Sequence, residues 1–146
     1  MATYWHMQIH PDSQDFAFEH IHSILENKKI IGLGNWEEGR DTIDKFVDEM
    51  QVNDIVAIKN GSVLIALVQV IGGAYRVTDE ESDISWIEYR RPIRVLDWEL
   101  WDKKLPHSRG TLIKCVSNDA DTTKIIKKWH KQVVKILKKR GLPDLV

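Results

Sequence analysis

The residues best placed to do chemistry in this chain are its tryptophans. There are six in 146 residues: Trp5, Trp36, Trp86, Trp98, Trp101 and Trp129. Two of them stand in polar surroundings where nothing local would bury them. Trp36 follows a glycine turn in "IIGLGNWEEGR", and Trp86 closes a polar stretch in "ESDISWIEY". An indole held at a strand-to-loop junction is a platform on which a planar base or a methylated group stacks. Tyr75, in "GGAYRV", is a third platform of this kind. The remaining tryptophans read as packing. Trp129 lies on the apolar stripe of a helix, and Trp98 and Trp101 in "LDWELWD" follow a long strand. Trp5, in the first strand, suits a core position and a pocket wall equally well.

Signatures of catalysis and metal binding are missing from the sequence. It contains no HExxH, no GxSxG and no GxxxxGK[ST], and "GLG" at 32–34 lacks the rest of a dinucleotide fingerprint. His20 and His22 are two apart, so on a helix they point to different faces and cannot share a metal. Cys115, the only cysteine, is flanked by apolar residues in "TLIKCVS" and reads as a core thiol. The acidic run "DEESD" at 79–83 reads as a solvated loop. The expectation is no catalytic residue, no metal and no cofactor.

With 42% hydrophobic and 29% charged residues, the chain is expected to fold as one domain over 1–146. The closing "GLPDLV" suits a true terminus as well as the start of a linker in a larger protein. No apolar run reaches the roughly 18 residues of a membrane helix. "MATYWHMQIH" has neither the basic nor the apolar region of a secretory signal. A lone cysteine fits a reducing setting, so the expected location is the cytoplasm, with no membrane partner. The net charge of −1 hides an asymmetry: residues 1–120 carry −7 and residues 121–146 carry +6. A protein that coats nucleic acid by charge alone does not look like this, so any such binding must come from a local surface.

The pattern of elements follows from periodicity and turn chemistry. "TYWHMQIH" (3–10) reads as a strand, and 11–29 as a helix capped by Asp12 or Ser13 with Phe16, Phe18, Ile21, Ile24 and Leu25 on one stripe. "IIGLGNW" is a short strand, and "RDTIDKFVDEM" a helix burying Ile43, Phe46, Val47 and Met50. "DIVAIKNGSVLIALVQVIGG" is a hairpin, with Asn60-Gly61 predicting a type I′ turn. Another strand spans 83–98, where Pro92 predicts an edge or a bulge, and a further one lies in "GTLIKCVS". The last helix turns Ile125, Ile126, Trp129, Val133, Ile136 and Leu137 inward and a lysine stripe outward. Strands and helices in this order define an α+β fold: a small curved, mostly antiparallel sheet or barrel flanked by helices.

The succession "YWHMQIHP", "IIGLGNW", "VNDIVAIKNGSVLIALVQVIGGAYRV", "YRRPIRVLDW" and "GTLIKCV" resembles EVE-type and YTH-like domains of the PUA superfamily. More narrowly it resembles the N-terminal reader domains of McrB-like modification-dependent restriction systems. The resemblance spans residues 3–116, with Asn53-Asp54 standing where the family usually has Gly-Asp. It implies recognition of a modified, methylated base in an aromatic cage, flipped from DNA, on behalf of a restriction or defence system. An AAA+ GTPase/ATPase or nuclease module, in cis or in trans, is the implied partner.

Carried over by position, Trp36 matches one cage wall, and Tyr75 or Trp86 the opposite wall. Gln8 to His10 match the segment that hydrogen-bonds the base edge, with Asn35 and Trp5 as further pocket candidates. Arg76, Arg90, Arg91, Arg94 and Arg109 are the expected phosphate contacts. Three other readings stand beside this one. A YTH-like reader of methylated RNA keeps the fold and changes the ligand. An ASCH-like hydrolase of modified nucleosides would use lysine, threonine and glutamate, for which Lys59, Thr78 and Glu88 are the right types. A protein-interaction module would use the exposed aromatics on a partner.

Overall fold

The computed structural model describes residues 2–9, 20–82, 84–99, 104–105 and 110–141. Seven strands form one curled sheet: β1 (Tyr4–Gln8), β2 (Ile30–Leu33), β3 (Ile55–Asn60), β4 (Val63–Val70), β5 (Tyr75–Arg76), β6 (Tyr89–Trp98) and β7 (Leu112–Lys114). Their order is β2-β6-β4-β3-β1-β7, with β5 beside β6. All pairings are antiparallel except β1 with β3, which set Tyr4 opposite Ile55 and Gln8 opposite Lys59. Parallel strands need a long crossover. Here it contains the helical segment 20–28 (α1), β2, and a second helix, α2, built from the turns Glu37–Gly39, Arg40–Asp44 and Lys45–Glu49. The expected α+β class, mostly antiparallel and flanked by helices, is what the chain adopts.

β3 is buried along its whole length because both faces of the sheet are covered. Val56 and Ile58 pack with Trp5, Met7, Ile21, Leu25, Ile43 and Phe46, the cluster under α1 and α2. Ile55 and Ala57 turn the other way, onto Ile126, Trp129 and Val133 of α3 (Asp121–Lys139). This two-sided burial is why "DIVAI" reads as a continuous apolar run rather than an alternation. Ile136, expected inward, is 50% exposed, because the buried stretch of α3 runs only from Thr123 to Val133. Phe16 and Phe18 of the expected first helix lie outside the described residues.

One turn expectation and one strand expectation need adjusting. Asn60 pairs with Val63, so the hairpin turns on Gly61 and Ser62 rather than Asn60-Gly61. Gly61 has φ +62 while Asn60 and Ser62 do not leave negative φ, the pattern of a II′ turn with glycine first. Of the edge or bulge expected at Pro92 the edge is not found, and a bulge-like break in pairing is: residues 71–74 stand opposite Arg91 and Pro92 on one flank. It faces β2 at Ile30, and on its other flank it falls between the β5 pairing at Arg90 and the β4 pairing at Ile93, where its missing N–H interrupts no ladder bond.

Asn53 and Asp54 explain their own departure from Gly-Asp. Asn53 has φ 78, a left-handed conformation that asparagine tolerates better than other non-glycine residues. Asp54 then accepts from the Thr3 N–H at 3.0 Å, the Trp5 Nε1–H at 3.0 Å and the Gln51 N–H at 2.9 Å. One buried carboxylate thus ties β1 to the start of β3.

Candidate functional site

The site begins with glycines that let two segments touch. A Cβ on Gly32 would stand 2.2 Å from Ile87 Cγ2 and 2.5 Å from the Tyr89 carbonyl oxygen, and one on Gly34 would stand 3.1 Å from the Trp86 carbonyl oxygen. Only a bare backbone lets β2 lie this close to the segment that leads into β6. The approach brings Trp36 and Trp86 to the same opening. That opening is a cleft of about 570 Å³, walled by Gly32, Leu33, Gly34, Asn35 and Trp36 on one side and by Ser85, Trp86 and Glu88 beside them. Gln8 and Thr111 contribute from β1 and the start of β7. Because β2 and β7 are the two ends of the sheet, the cleft occupies the gap that the curled sheet leaves unclosed.

Trp36 is half-buried and has a seat. A Cβ on Gly39 would overlap its indole, 1.8 Å from Cε2 and 2.1 Å from Cζ2. The ring therefore rests on bare backbone three residues ahead, while also lining the cleft. Both Trp36 and Trp86 pack against the main core cluster. Each is thus a rigid wall rather than a mobile surface side chain.

The polar groups of the cleft are oriented by bonds behind it. Gln8 Oε1 accepts from the Gly61 N–H at 3.0 Å, which leaves the side-chain NH2 as its available donor. Glu88 Oε2 accepts from Arg76 Nε at 2.7 Å, and that carboxylate holds the guanidinium pKa above its ordinary value. Asn35 and Ser85 are exposed at the rim. The wall offers donors, acceptors and two indole faces.

Of the residues proposed from sequence, the structure gathers Trp36, Trp86, Gln8 and Asn35 at the cleft. Tyr75 is 44% exposed on β5 and does not line it. Trp5 is fully buried with its indole N–H on Asp54, so it is core and not a pocket wall. His10 and Arg109 lie outside the described residues. Ser85, Glu88 and Thr111 had no role in a reader by sequence; Thr111 reaches the cleft only through the β1–β7 pairing, where the Gln8 N–H donates to its carbonyl at 2.8 Å.

Two arginines expected on phosphates are instead structural. Arg90 is 5% exposed, donates from Nε to the Ile87 carbonyl and from Nη1 and Nη2 to both oxygens of Glu80, with Nη2 also on the Ile84 carbonyl. Glu80 therefore belongs to the interior bonding of the loop and not to a wholly solvated acidic run; its pKa falls to about 2, chiefly through Arg90. Arg91 is 3% exposed and donates to the carbonyls of Phe46, Val47, Met50 and Gly72. It terminates α2 with a cation where the helix presents unpaired carbonyls. Arg94 gives its Nε to Gln69 at 2.8 Å. Arg76, 56% exposed, does not line the cleft but is bonded to Glu88, which does.

The other face of the sheet is a separate environment. Lys124, Lys127, Lys128, Lys131, Lys135 and Lys138 are exposed on α3, across the sheet from the helices that pack with the tryptophan walls. On that face His6 is 2% exposed, and burial with the nearby Lys59 charge lowers its pKa to about 4. Lys59 is itself buried, which lowers its pKa to about 8. Lys59 and Thr78 do not line the cleft, so the lysine, threonine and glutamate of a hydrolase are not assembled there. Among the described residues no group of three or more His, Cys, Asp or Glu side chains could hold a metal. No helix among them is long and apolar enough to cross a membrane.

The curled α+β sheet that leaves this cleft between its ends, walled by two indoles, is a fold that solved structures share. No protein-family model matches the sequence, and no curated protein does. Solved structures do match. The YTH domain of Zygosaccharomyces rouxii MRB1 protein, in complex with N6-methyladenosine RNA, is 10% identical, with 90% of this chain and 86% of that chain covered at a TM-score of 0.52. Human THYN1 protein, in complex with DNA containing 5-methylcytosine, is 8% identical over 89% of this chain and 98% of that one, also at 0.52. A Pseudomonas putida protein is 12% identical over 86% and 97%, at 0.51. At such identities the likeness is one of fold.

Proposed function

We propose that this chain is a non-catalytic reader that takes a methylated base from nucleic acid into the cleft between Trp36 and Trp86. The observation that carries this reading is that two tryptophans from distant segments line one opening together with Gln8, Asn35, Ser85, Glu88 and Thr111. The cleft volume falls within the roughly 300–1,000 Å³ of small-molecule sites. Extruding a base costs a few kcal/mol. Stacking returns about 1–3 kcal/mol per base, and a buried methyl adds about 0.8 kcal/mol. Extrusion and stacking nearly cancel, so the methyl's share is felt as about a fourfold gain in affinity.

The ligands of the two named neighbours, methylated RNA and methylated DNA, support the reading. DNA is the first choice, because the sequence resembles McrB-like reader domains; the reader then serves a restriction or defence system, with an AAA+ GTPase/ATPase or nuclease module in cis or in trans. Methylated RNA is the second, on the likeness to the YTH domain. The test is fluorescence anisotropy with oligonucleotides that differ only in methylation, as DNA and as RNA of one sequence. Methylated DNA is expected to bind about fourfold tighter than its unmodified twin. Tighter binding of the methylated RNA selects the second choice. Equal affinity for methylated and unmodified strands of both kinds refutes the proposal.

A further inference from the structure

Glu88 gives the cleft a chemical preference. Among the described residues it is the only ionisable side chain on the cleft wall. One of its oxygens, Oε2, is held by Arg76 at 2.7 Å, and the other has no partner there. An ionised carboxylate only accepts hydrogen bonds. Arg76 offsets its charge, so the site is less a trap for a cation than an acceptor fixed beside two indole faces. The same carboxylate disfavours a phosphate inside the cleft, which leaves the sugar-phosphate outside it.

We infer that the cleft selects bases that turn an amino N–H toward Glu88 and rejects those that present a carbonyl or ether oxygen at the same position. This inference rests on the base-reading assignment. An amino group at C4 of cytosine or C6 of adenine donates to the free oxygen of Glu88, whereas O4 of thymine sets lone pairs against lone pairs. A site built around a polar partner discriminates strongly against an analogue lacking it, because Glu88, 22% exposed in the open cleft, is covered by the bound base and then left unpaired. The methyl group supplies affinity and the amino group supplies the choice among methylated bases.

Matched pairs separate the two contributions. 5-Methylcytosine and thymine share the methyl and differ at C4 by an amino group against an oxygen and at N3 by a lone pair against an N–H, so the purine pair, whose ring nitrogens are alike, decides where the two disagree. N6-methyladenine and 6-methoxypurine share a methyl and differ by N–H against O. Each base is placed at one position of an otherwise identical single-stranded DNA, and affinity is measured for the wild-type chain, Glu88→Gln and Trp36→Ala. Wild type is expected to prefer the amino member of the pair it binds by about tenfold or more. Glu88→Gln, whose amide can turn its own NH2 toward an oxygen, is expected to bring that ratio within about twofold, with an unchanged melting temperature. A wild-type ratio near one overturns the inference even if Glu88→Gln fails to fold, and so does a folded Glu88→Gln that keeps the wild-type ratio. If binding depends on Trp36 but ignores the amino group, only this inference falls. If none of the four strands binds the wild-type chain, the base-reading assignment falls and this inference with it.

Discussion

Gly39→Ala should weaken base binding in a protein that still folds. A Cβ at position 39 would lie 1.8 Å from Trp36 Cε2, while ordinary contact starts near 3.4 Å, so the indole must retreat by about 1.6 Å. The backbone itself does not object: Gly39 has φ −96 and ψ 13, which alanine adopts without left-handed strain. Replacing glycine where the new residue fits its conformation stabilises by about 0.4–1 kcal/mol through the unfolded chain, which offsets part of the about 1–3 kcal/mol that crowding a core-packed ring costs. Binding has no such offset. A gap of 0.5–1 Å already forfeits a quarter to a half of a dispersion contact. Shifting one wall by more than that, whether away from the base or into its space, removes most of its share of a stacking energy of about 1–3 kcal/mol. The expected loss is about tenfold in affinity for the methylated oligonucleotide. Anisotropy titration measures the affinity, and a thermal melt followed by tryptophan fluorescence measures the fold. Wild-type affinity in a folded Gly39→Ala protein would refute the claim that Gly39 positions the cleft wall.

Other outcomes follow from the same geometry. Arg91→Met leaves the carbonyls of Phe46, Val47, Met50 and Gly72 without their donor. It is expected to lower stability by about 3 kcal/mol or more in urea unfolding, with unchanged affinity per folded molecule, whereas a phosphate contact would show the reverse. His6 titrates near 6.5 when unfolded and at about 4 when folded, so the unfolded state binds more protons in between. Stability is therefore lost as pH falls from about 6.5 to 4, and the melting temperature of wild type should drop more steeply across that window than that of His6→Gln.

How far the fold was legible in the sequence depended on how local its causes are. The strands of "DIVAIKNGSVLIALVQV" and the helix at 121–139 declared themselves through apolar runs and a 3.6 period, since burial there is set by nearest neighbours. The true hairpin turn was misplaced by one residue, because Asn-Gly and Gly-Ser both suit a two-residue loop and only the pairing of Asn60 with Val63 decides. Trp36 and Trp86 were visible as indoles in polar company. Trp5 carried no such mark, and only the distant Asp54 carboxylate shows why it is interior. Arg90 and Arg91 looked like surface cations in "YRRP". Their partners are the carbonyls of the Ile84–Ile87 loop and the end of α2, contacts that no spacing in the sequence announces.

The most direct measurement is the affinity of Trp36→Ala for a methylated oligonucleotide that wild type binds, taken beside its melting temperature. The account predicts that binding drops at least about tenfold while the protein still melts cooperatively near the wild-type temperature. Wild-type affinity in a folded Trp36→Ala chain, or a loss of binding that merely tracks unfolding, would contradict it.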